Sequence, residues 1–338
     1  MLFRDDKVAR LQHNAVRENV GWYKWTHNLL EVKGSDATKF LDSLYVNSIA
    51  KTQVLRSKYT TMLNEEGLII DDVIVMHMND DLFWVSTLYL PELIEWIEAK
   101  KGDSRIEYRD ITDEYEMYAV QGPNSREFMN KLIEEKVDDI KYFSIRKSKT
   151  KDIDVIIHRS GFTGELGFEI YCAKKDNYRI ENILEHVSKE FDAVKLSILE
   201  VIVRSLPVEK GYVLRQDILG LNPYEIDMGW TVDMDKEFIG KAALEKLIKN
   251  GHKHKLVGLE FESYNDINQG EVIKINGVQT GVVVAAIYGY TIEKNIGYGV
   301  VEAKVVPIGS TVQIGMNNVN AKVVEKIWYD PENKRPKA

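Results

Sequence analysis

A dense cluster of glycines lies near the middle of this 338-residue sequence, between two apolar runs. Gly161, Gly164 and Gly167 fall within residues 159–171, which read RSGFTGELGFEIY. Glycines at this density indicate backbone with positive φ or a close approach to another group. Because β-branched and aromatic residues flank the cluster on both sides, the sequence predicts a strand, a glycine-rich turn and a second strand.

Glu169 is a single carboxylate in the second, otherwise apolar strand, between Phe168 and Ile170. One interpretation is a bulged hairpin in which Glu169 points to solvent, as alternate residues of a half-exposed strand do. The other is a carboxylate at the wall of a pocket, where it accepts two parallel hydrogen bonds from an amino-heterocycle. The local pattern leaves both interpretations open.

Length and composition narrow the class of protein. A chain of 338 residues exceeds what one compact core usually holds, so we expect two or three domains. The net charge of −8, without a basic stripe, argues against a nucleic-acid partner. The single cysteine, Cys172, excludes a disulfide framework or a cysteine-based metal site within the chain, and we expect no metal. With no signal peptide and no long apolar run, we expect a cytoplasmic protein without a membrane partner.

Helices and hairpins alternate irregularly as far as about residue 250. This order lacks the rhythm of parallel βαβ units and favours an α+β fold with antiparallel sheets. A helix around residues 198–206 is expected to stop at Pro207, which lacks a backbone donor. From Lys255 onward short apolar runs recur, and Asn276-Gly277 is a strong two-residue hairpin signal. The last part is therefore predicted to be a small barrel or sandwich.

Short motifs in a consistent order and spacing run through most of the chain. They are VKGSDA at 32–37, LNEEG at 63–67 with Asp71-Asp72, QGP at 121–123, FTGELGFE at 162–169, NPYE at 222–225 followed by Gly229-Trp230, and FIGKAAL at 238–244. Together they resemble the glycine-cleavage T-protein (aminomethyltransferase) family and the tetrahydrofolate-dependent demethylases related to it.

The resemblance implies a three-domain cloverleaf with tetrahydrofolate in its central hole. Its parts would be a folate-binding α+β domain of residues 1–50 plus 140–250, an inserted α+β domain of residues 51–139, and a C-terminal β-barrel of residues 251–338. It also places Glu169 on the amino edge of the pterin and Phe162, in place of the family's tyrosine, at the pterin wall. Tyr142 would be a further wall.

The chain departs from the family at several charged positions. Leu93 falls where the family has its catalytic aspartate, and Glu92, one residue away, would need a helix offset to replace it. Val203 and Pro207 stand where the family has arginines, while Glu209 is kept. The catalytic residues therefore stay unassigned at this point.

These features predict a tetrahydrofolate-dependent one-carbon transferase. The missing charged groups favour methyl transfer from a small-molecule donor, in which positioning carries most of the catalysis. One alternative is aminomethyl transfer by a T-protein proper, which needs a lipoyl carrier protein as partner. Another is a non-catalytic folate-binding scaffold of the iron–sulfur assembly type. Such scaffolds carry a K-G-C-Y run, and here Lys210-Gly211-Tyr212 lacks the cysteine.

Overall fold

Strand pairing builds two open sheets and one closed barrel. The structure is a computed structural model that describes residues 6–25, 28–263 and 267–338. Its strands are β1 (Gly21–Trp25), β2 (Asn28–Lys33), β3 (Arg56–Leu63), β4 (Ile69–Asn79), β5 (Leu82–Thr87), β6 (Glu107–Asp110), β7 (Tyr115–Gln121), β8 (Ile145–Thr150), β9 (Ile153–His158), β10 (Gly167–Ala173), β11 (Val194–Lys195), β12 (His254–Phe261), β13 (Val272–Ile275), β14 (Val278–Gly289), β15 (Lys294–Glu302), β16 (Thr311–Ile314) and β17 (Val319–Val324).

The helices are mostly short and occur before the barrel. They are α1 (Lys7–Glu18), α2 (Ala37–Leu44), α3 (Leu90–Lys100), α4 (Ser125–Leu132), α5 (Asn177–Phe191), α6 (Leu206–Glu209), α7 (Arg215–Ile218) and α8 (Lys241–Asn250), with a π-helical turn at Val201–Ser205 and 3-10 turns at Lys174–Asp176 and Gly229–Thr231. Across the described ranges, no helix combines the length and the apolar character that crossing a membrane requires.

Sheet A has the strand order β11-β1-β7-β10-β9-β8, and sheet B has the order β3-β4-β5-β2-β6. Neighbouring strands are antiparallel, except for the parallel pair β1–β11. Strands β12 to β17 close into a barrel in the order β12-β15-β14-β13-β16-β17. The predicted α+β class, the antiparallel sheets and the C-terminal barrel are confirmed.

Each open sheet is covered by helices on one face. Helices α4 and α5 pack on sheet A, and α2 and α3 pack on sheet B. The other faces of the two sheets share an apolar cluster, which includes Tyr23 and Tyr171 from sheet A and Trp84 from sheet B. Because side chains alternate between the faces of a strand, every second residue of β1, β7 and β10 is directed towards sheet B.

The helix predicted around residues 198–206 does not stop at Pro207. The π-helical turn Val201–Ser205 leads directly into α6, and Pro207 lies in the first turn of that helix. A residue in the first turn has no helical acceptor for its backbone nitrogen, so proline loses nothing there. The prediction is wrong because the wide turn resets the hydrogen-bond register just before the proline.

The two-residue hairpin predicted in the C-terminal part is confirmed. Strand β13 ends immediately before Asn276, and β14 begins immediately after Gly277. Both turn residues have positive φ, 51° at Asn276 and 78° at Gly277. These angles match a type I′ turn, whose twist suits the flanking strands.

The domain boundaries proposed at residues 50, 139 and 250 stay a prediction. Strand β2 lies before the first boundary and pairs with β5 in sheet B. Strand β7 lies before the second boundary and pairs with β1 and β10 in sheet A. The two sheets therefore exchange segments along the chain, which brings their facing surfaces together.

Candidate functional site

A cavity of about 420 Å³ lies where the two open sheets face each other. Sheet A contributes residues of β1, β7 and β10, sheet B contributes β3, β4 and β5, and loops close the remainder. Its aromatic lining residues are Tyr23, Trp25, Tyr59, Tyr89, Tyr142, Phe143, Phe162, Tyr171, Tyr212 and Trp230. Of the described residues that line this main cavity, only Asp72 and Glu169 carry carboxylates.

The glycine-rich turn between β9 and β10 forms part of the cavity wall. Gly164 has φ of 79°, a conformation that residues with a side chain rarely adopt. Gly161 leaves room for the side chain of Gln121, which a β-carbon at this position would displace. The Gln121 amide donates to the carbonyl oxygen of Ser160 at 3.1 Å and accepts from the hydroxyl of Thr163 at 2.8 Å. The QGP turn therefore holds the glycine-rich turn in shape.

A buried ionic cluster joins this turn to the rest of the protein. Arg17 of α1 donates to the carbonyl oxygen of Thr163 at 2.7 Å and lies 3.2 Å from a carboxylate oxygen of Glu165. The same guanidinium lies 3.1 Å from Oε2 of Glu209 in α6. The hydroxyl of Thr291, in the loop between β14 and β15, donates to that oxygen at 2.7 Å. Helix α1, the turn, α6 and the barrel thus meet at this buried ionic cluster.

Glu169 lies on β10, on the face that is directed to the cavity. The residue is only 8% exposed, so the interpretation in which it points to solvent is wrong. Strand β10 pairs Glu169 with His158 of β9, whose Nδ1 lies 2.8 Å from Oε2 of the glutamate. The hydroxyl of Tyr171 donates to the same oxygen at 3.4 Å. Among the described residues, protein groups therefore engage Oε2 and leave Oε1 for a ligand.

The other two residues predicted at the site, Phe162 and Tyr142, line the same cavity. The ring of Phe162 stacks on Tyr212 with centroids 5.8 Å apart and an interplanar angle of 23°. Tyr142 packs edge-on against Phe143, with ring centroids 4.5 Å apart. Burial raises the pKa of the Tyr142 and Tyr212 hydroxyls, which stay neutral at physiological pH.

Asp72 places a second carboxylate at the cavity wall, from β4 in sheet B. The hydroxyl of Tyr59 donates to Oδ2 of Asp72 at 3.0 Å. The neighbouring Asp71 is buried and accepts a hydrogen bond from Thr87 at 2.8 Å. Burial, together with the nearby charge of Asp71, raises the pKa of Asp72 to about 7, and burial raises the pKa of Asp71 to about 6. Burial and the neighbouring carboxylate thus favour the protonated form of the Asp72 carboxyl group at the cavity wall.

The positions at which the chain departs from the family do not supply a replacement acid. Leu93 is fully buried in the apolar cluster beneath sheet B. Glu92 lies at a smaller neighbouring cavity, 3.6 Å from the guanidinium of Arg215. Neither occurs among the described residues that line the main cavity. Val203 packs against the apolar cluster between the two sheets, and Pro207 is buried in the first turn of α6.

Sequence reasoning identified three of the lining residues and missed most of the others. Tyr23 and Tyr171 had a usable signal, since strand alternation places them on the face that Glu169 shares. Asp72 had one too, because it is also a carboxylate in an apolar strand. Tyr59 and Tyr212 reach the cavity through the packing of distant segments, for which the local sequence carries no signal.

The geometry suits a flat, nitrogen-rich heterocycle. Aromatic rings provide its walls, and a buried carboxylate, with one oxygen that no group of the described residues engages, provides an acceptor for amino groups. The cavity opens to solvent beside Trp230 and Leu88, which line it and are 75% and 46% exposed. A reactive group presented from outside can therefore reach the cavity.

Comparisons with known proteins cover nearly the whole chain. Residues 3–236 match the family described as GCVT N-terminal domain, and residues 254–330 match the glycine cleavage T-protein C-terminal barrel domain. An aminomethyltransferase of Thermotoga sp. (strain RQ2) is 31% identical over 323 residues, which cover 93% of this chain and 88% of the relative. An aminomethyltransferase of Bacillus pumilus (strain SAFR-032) is 31% identical over 331 residues, which cover 94% and 89%.

A solved structure has the same fold. The crystal structure of glycine cleavage system aminomethyltransferase T from Bartonella henselae superposes with a TM-score of 0.85 at 21% identity. The superposition covers 96% of this chain and 90% of the other. The arrangement of two sheets and a barrel is therefore shared with that protein.

Proposed function

The chain belongs to the glycine cleavage T-protein family and is a tetrahydrofolate-dependent transferase, and we propose that the group it transfers to folate is an aminomethyl group. The relatives from Thermotoga and Bacillus are aminomethyltransferases and match the chain over more than nine-tenths of its length. This supports aminomethyl transfer better than the methyl transfer that the sequence alone favoured.

The observation that carries the proposal is the placement of Glu169. Its carboxylate is buried at the cavity wall, and His158 and Tyr171 hold one of its oxygens. A pterin presents an amino group beside a ring N–H, and Oε1 of Glu169 is placed to accept from this edge while His158 and Tyr171 hold Oε2. Glu169 therefore anchors the pterin ring in this proposal.

The cavity fits tetrahydrofolate in size and in chemistry. Its volume of about 420 Å³ falls within the roughly 300–1,000 Å³ of typical ligand pockets. Phe162, stacked on Tyr212, offers a flat aromatic wall, and Tyr142 closes another side. These rings orient the bound heterocycle and exclude water from the transfer site.

When bound, tetrahydrofolate supplies two amine nitrogens. The carbon–sulfur and carbon–nitrogen bonds of the donor's aminomethyl group break, and two carbon–nitrogen bonds to the folate form. The two hydrogens released from the folate nitrogens end on the sulfur and on ammonia. The chain's own residues hold the reacting atoms together, which is the main source of acceleration for a transfer between two bound groups. Glu169 and the aromatic walls supply this positioning.

The donor is proposed to be a lipoyl arm on a carrier protein. The cavity mouth supports this, because Trp230 and Leu88 are exposed there and offer apolar contact to a long thioether chain. A small-molecule methyl donor is the second candidate, favoured by the leucine at position 93 in the family's aspartate slot. A cytoplasmic location stays a prediction.

The test is a comparison of donors with the purified protein and tetrahydrofolate. An aminomethylated lipoyl carrier protein should yield ammonia and methylenetetrahydrofolate in equal amounts, at a rate far above the protein-free control. Small methyl donors assayed in parallel should yield no 5-methyltetrahydrofolate. Methyl transfer without ammonia release would replace the proposal by its second candidate, and tetrahydrofolate binding without either product would favour a non-catalytic scaffold.

A further inference from the structure

The two carboxylates of the cavity lie in different surroundings. Glu169 is held by His158 and Tyr171 and is placed to grip a ligand. Asp72 comes from the other sheet, and its carboxylate accepts a hydrogen bond from the hydroxyl of Tyr59, at 3.0 Å. Asp72 is half-buried and lines the cavity directly, so a bound ligand has access to its carboxyl group.

The charges around Asp72 are mostly negative. Asp71 precedes it on β4, and Asp217 of α7 adds a second negative charge, which Arg204 partly offsets through an ion pair at 2.7 Å. The positive charge of Arg215, also on α7, acts to lower the pKa of the neighbouring Asp71, against the effect of burial. Burial and these like charges favour the protonated form of Asp72, whereas the Tyr59 hydrogen bond favours the charged form.

Aminomethyl transfer needs a group that moves protons. The electron pairs of the two broken bonds leave with sulfur and nitrogen, so the hydrogens travel as protons, and no oxidant or reductant takes part. Each proton must pass from a folate nitrogen to a leaving atom in a site from which water is excluded. A carboxyl group with a pKa near the working pH serves this purpose best, because it both accepts and returns a proton readily.

We propose that Asp72 is the catalytic acid–base of this cavity, and that it accepts a proton from an amine nitrogen of the bound folate and returns it to the departing nitrogen or sulfur. Tyr59 is the positioning residue that directs the carboxyl group into the cavity. This role of Asp72 rests on the proposed function. It assigns to a carboxyl group on β4 the proton transfer that Leu93 cannot perform. The family resemblance pointed to α3 for this acid, where the chain offers only the buried Leu93 and the displaced Glu92.

The experiment compares Asp72→Asn with wild-type protein, with Asp81→Asn in the exposed turn after β4 as the matched control. Calorimetric titration should show tetrahydrofolate affinity within about threefold of wild type for both variants, because Glu169 is intact. Single-turnover aminomethyl transfer should fall by about 100-fold or more in Asp72→Asn and stay unchanged in Asp81→Asn. The wild-type rate should rise with pH through an apparent pKa near 7. The pH–rate profile of Asp72→Asn should lack this rising limb.

If Asp72→Asn folds poorly, a second variant and a direct titration of Asp72 still test the proposal. In protein labelled with ¹³C at aspartate carboxyl carbons, the Asp72 signal should titrate near pH 7. Tyr59→Phe removes a hydrogen bond that stabilises the charged form, so both this titration and the rate limb should move to higher pH.

The outcomes separate this proposal from the proposed function. An Asp72 signal that titrates near 4, or an Asp72→Asn variant that transfers as fast as wild type with the limb retained, overturns the role of Asp72 alone. A wild-type protein that binds tetrahydrofolate and releases no ammonia from the aminomethylated carrier overturns the proposed function, and this proposal with it.

Discussion

Nδ1 of His158 lies 2.8 Å from Oε2 of Glu169, on neighbouring strands of sheet A. The other ring nitrogen, Nε2, lies 2.7 Å from the hydroxyl of Ser57 in sheet B. Because a carboxylate only accepts, Nδ1 of His158 carries the hydrogen of the bond to Glu169. A chain of hydrogen bonds therefore runs from one sheet through the imidazole to the carboxylate at the cavity wall.

Replacing His158 with alanine should weaken tetrahydrofolate binding. The carboxylate of Glu169 loses the bond that orients it, and a hydrogen bond to a charged group is worth about 1.5–3 kcal/mol, or about tenfold to 150-fold in affinity. Calorimetry on His158→Ala checks this, with the exposed His186→Ala of α5 as control. An affinity equal to that of wild type would show that the imidazole does not position Glu169.

Introducing the family's acid at position 93 should not improve catalysis. Leu93 is fully buried among apolar side chains, so Leu93→Asp places a carboxyl group in the core and should destabilise the protein by about 3–5 kcal/mol. Leu93→Met, which keeps the apolar contacts, should cost less than about 1.5 kcal/mol. Denaturant unfolding and transfer assays measure both effects. A stable, faster Leu93→Asp variant would show that α3 shifts to bring this position to the ligand.

The hairpin turn of the barrel should keep its stability when Asn276 is replaced by glycine and lose stability when Gly277 is replaced by valine. Gly277 has φ of 78°, so Gly277→Val should destabilise the protein by about 1–3 kcal/mol. Asn276→Gly, which accepts the same backbone conformation, should change stability little. Thermal unfolding measures both, and tetrahydrofolate affinity should stay unchanged because the turn does not line the cavity. A thermally silent Gly277→Val would mean that the turn has another geometry in solution.

The buried cluster around Glu209 should make the protein sensitive to acid. Burial alone would raise the pKa of Glu209, but His13, whose Nε2 lies 3.2 Å from Oε2 of Glu209, and Arg17 lower it to about 2, from an ordinary value of 4.5. A lowered pKa stabilises the fold fully above pH 4.5, and this stabilisation is lost as the pH falls towards 2.

Glu209→Gln removes the charge and should lower the free energy of unfolding by about 3 kcal/mol at pH 7. The difference in free energy of unfolding between Glu209→Gln and wild type should become smaller as the pH is lowered below 4.5. A gap of the same size at pH 3 and pH 7 would show that Glu209 acts through packing and not through its charge.

Much of the fold is encoded in local sequence patterns. Apolar spacing predicts helix α2, whose four core residues are all buried: Ala37, Phe40, Leu41 and Leu44. Turn chemistry predicts the hairpin at Asn276-Gly277. Pro207 misled the prediction because no local signal marks the π-helical turn that places this proline at the start of α6. Asp227 adopts φ of 57°, a left-handed conformation that aspartate adopts more readily than most residues, and no local pattern predicted it.

The site was predictable only in part. The FTGELGFE motif singled out Glu169 and Phe162, the family resemblance added Tyr142, and the structure brings all three to one cavity. The protonation behaviour of Asp72 was out of reach, because it arises from burial between two sheets and from the charges of Asp71 and Asp217. Such an environment depends on contacts between segments far apart in sequence, and a motif does not record them.

The most direct test of the account is the tetrahydrofolate affinity of Glu169→Gln. The substitution keeps the size of the side chain and removes the charge that pairs with the pterin amino edge, at a cost of about 2–4 kcal/mol. Calorimetric titration should therefore show at least about thirtyfold weaker binding than in wild type, with the exposed Glu127→Gln of α4 unchanged. An affinity for Glu169→Gln within about threefold of wild type would contradict the assignment of this cavity as the folate site anchored by Glu169.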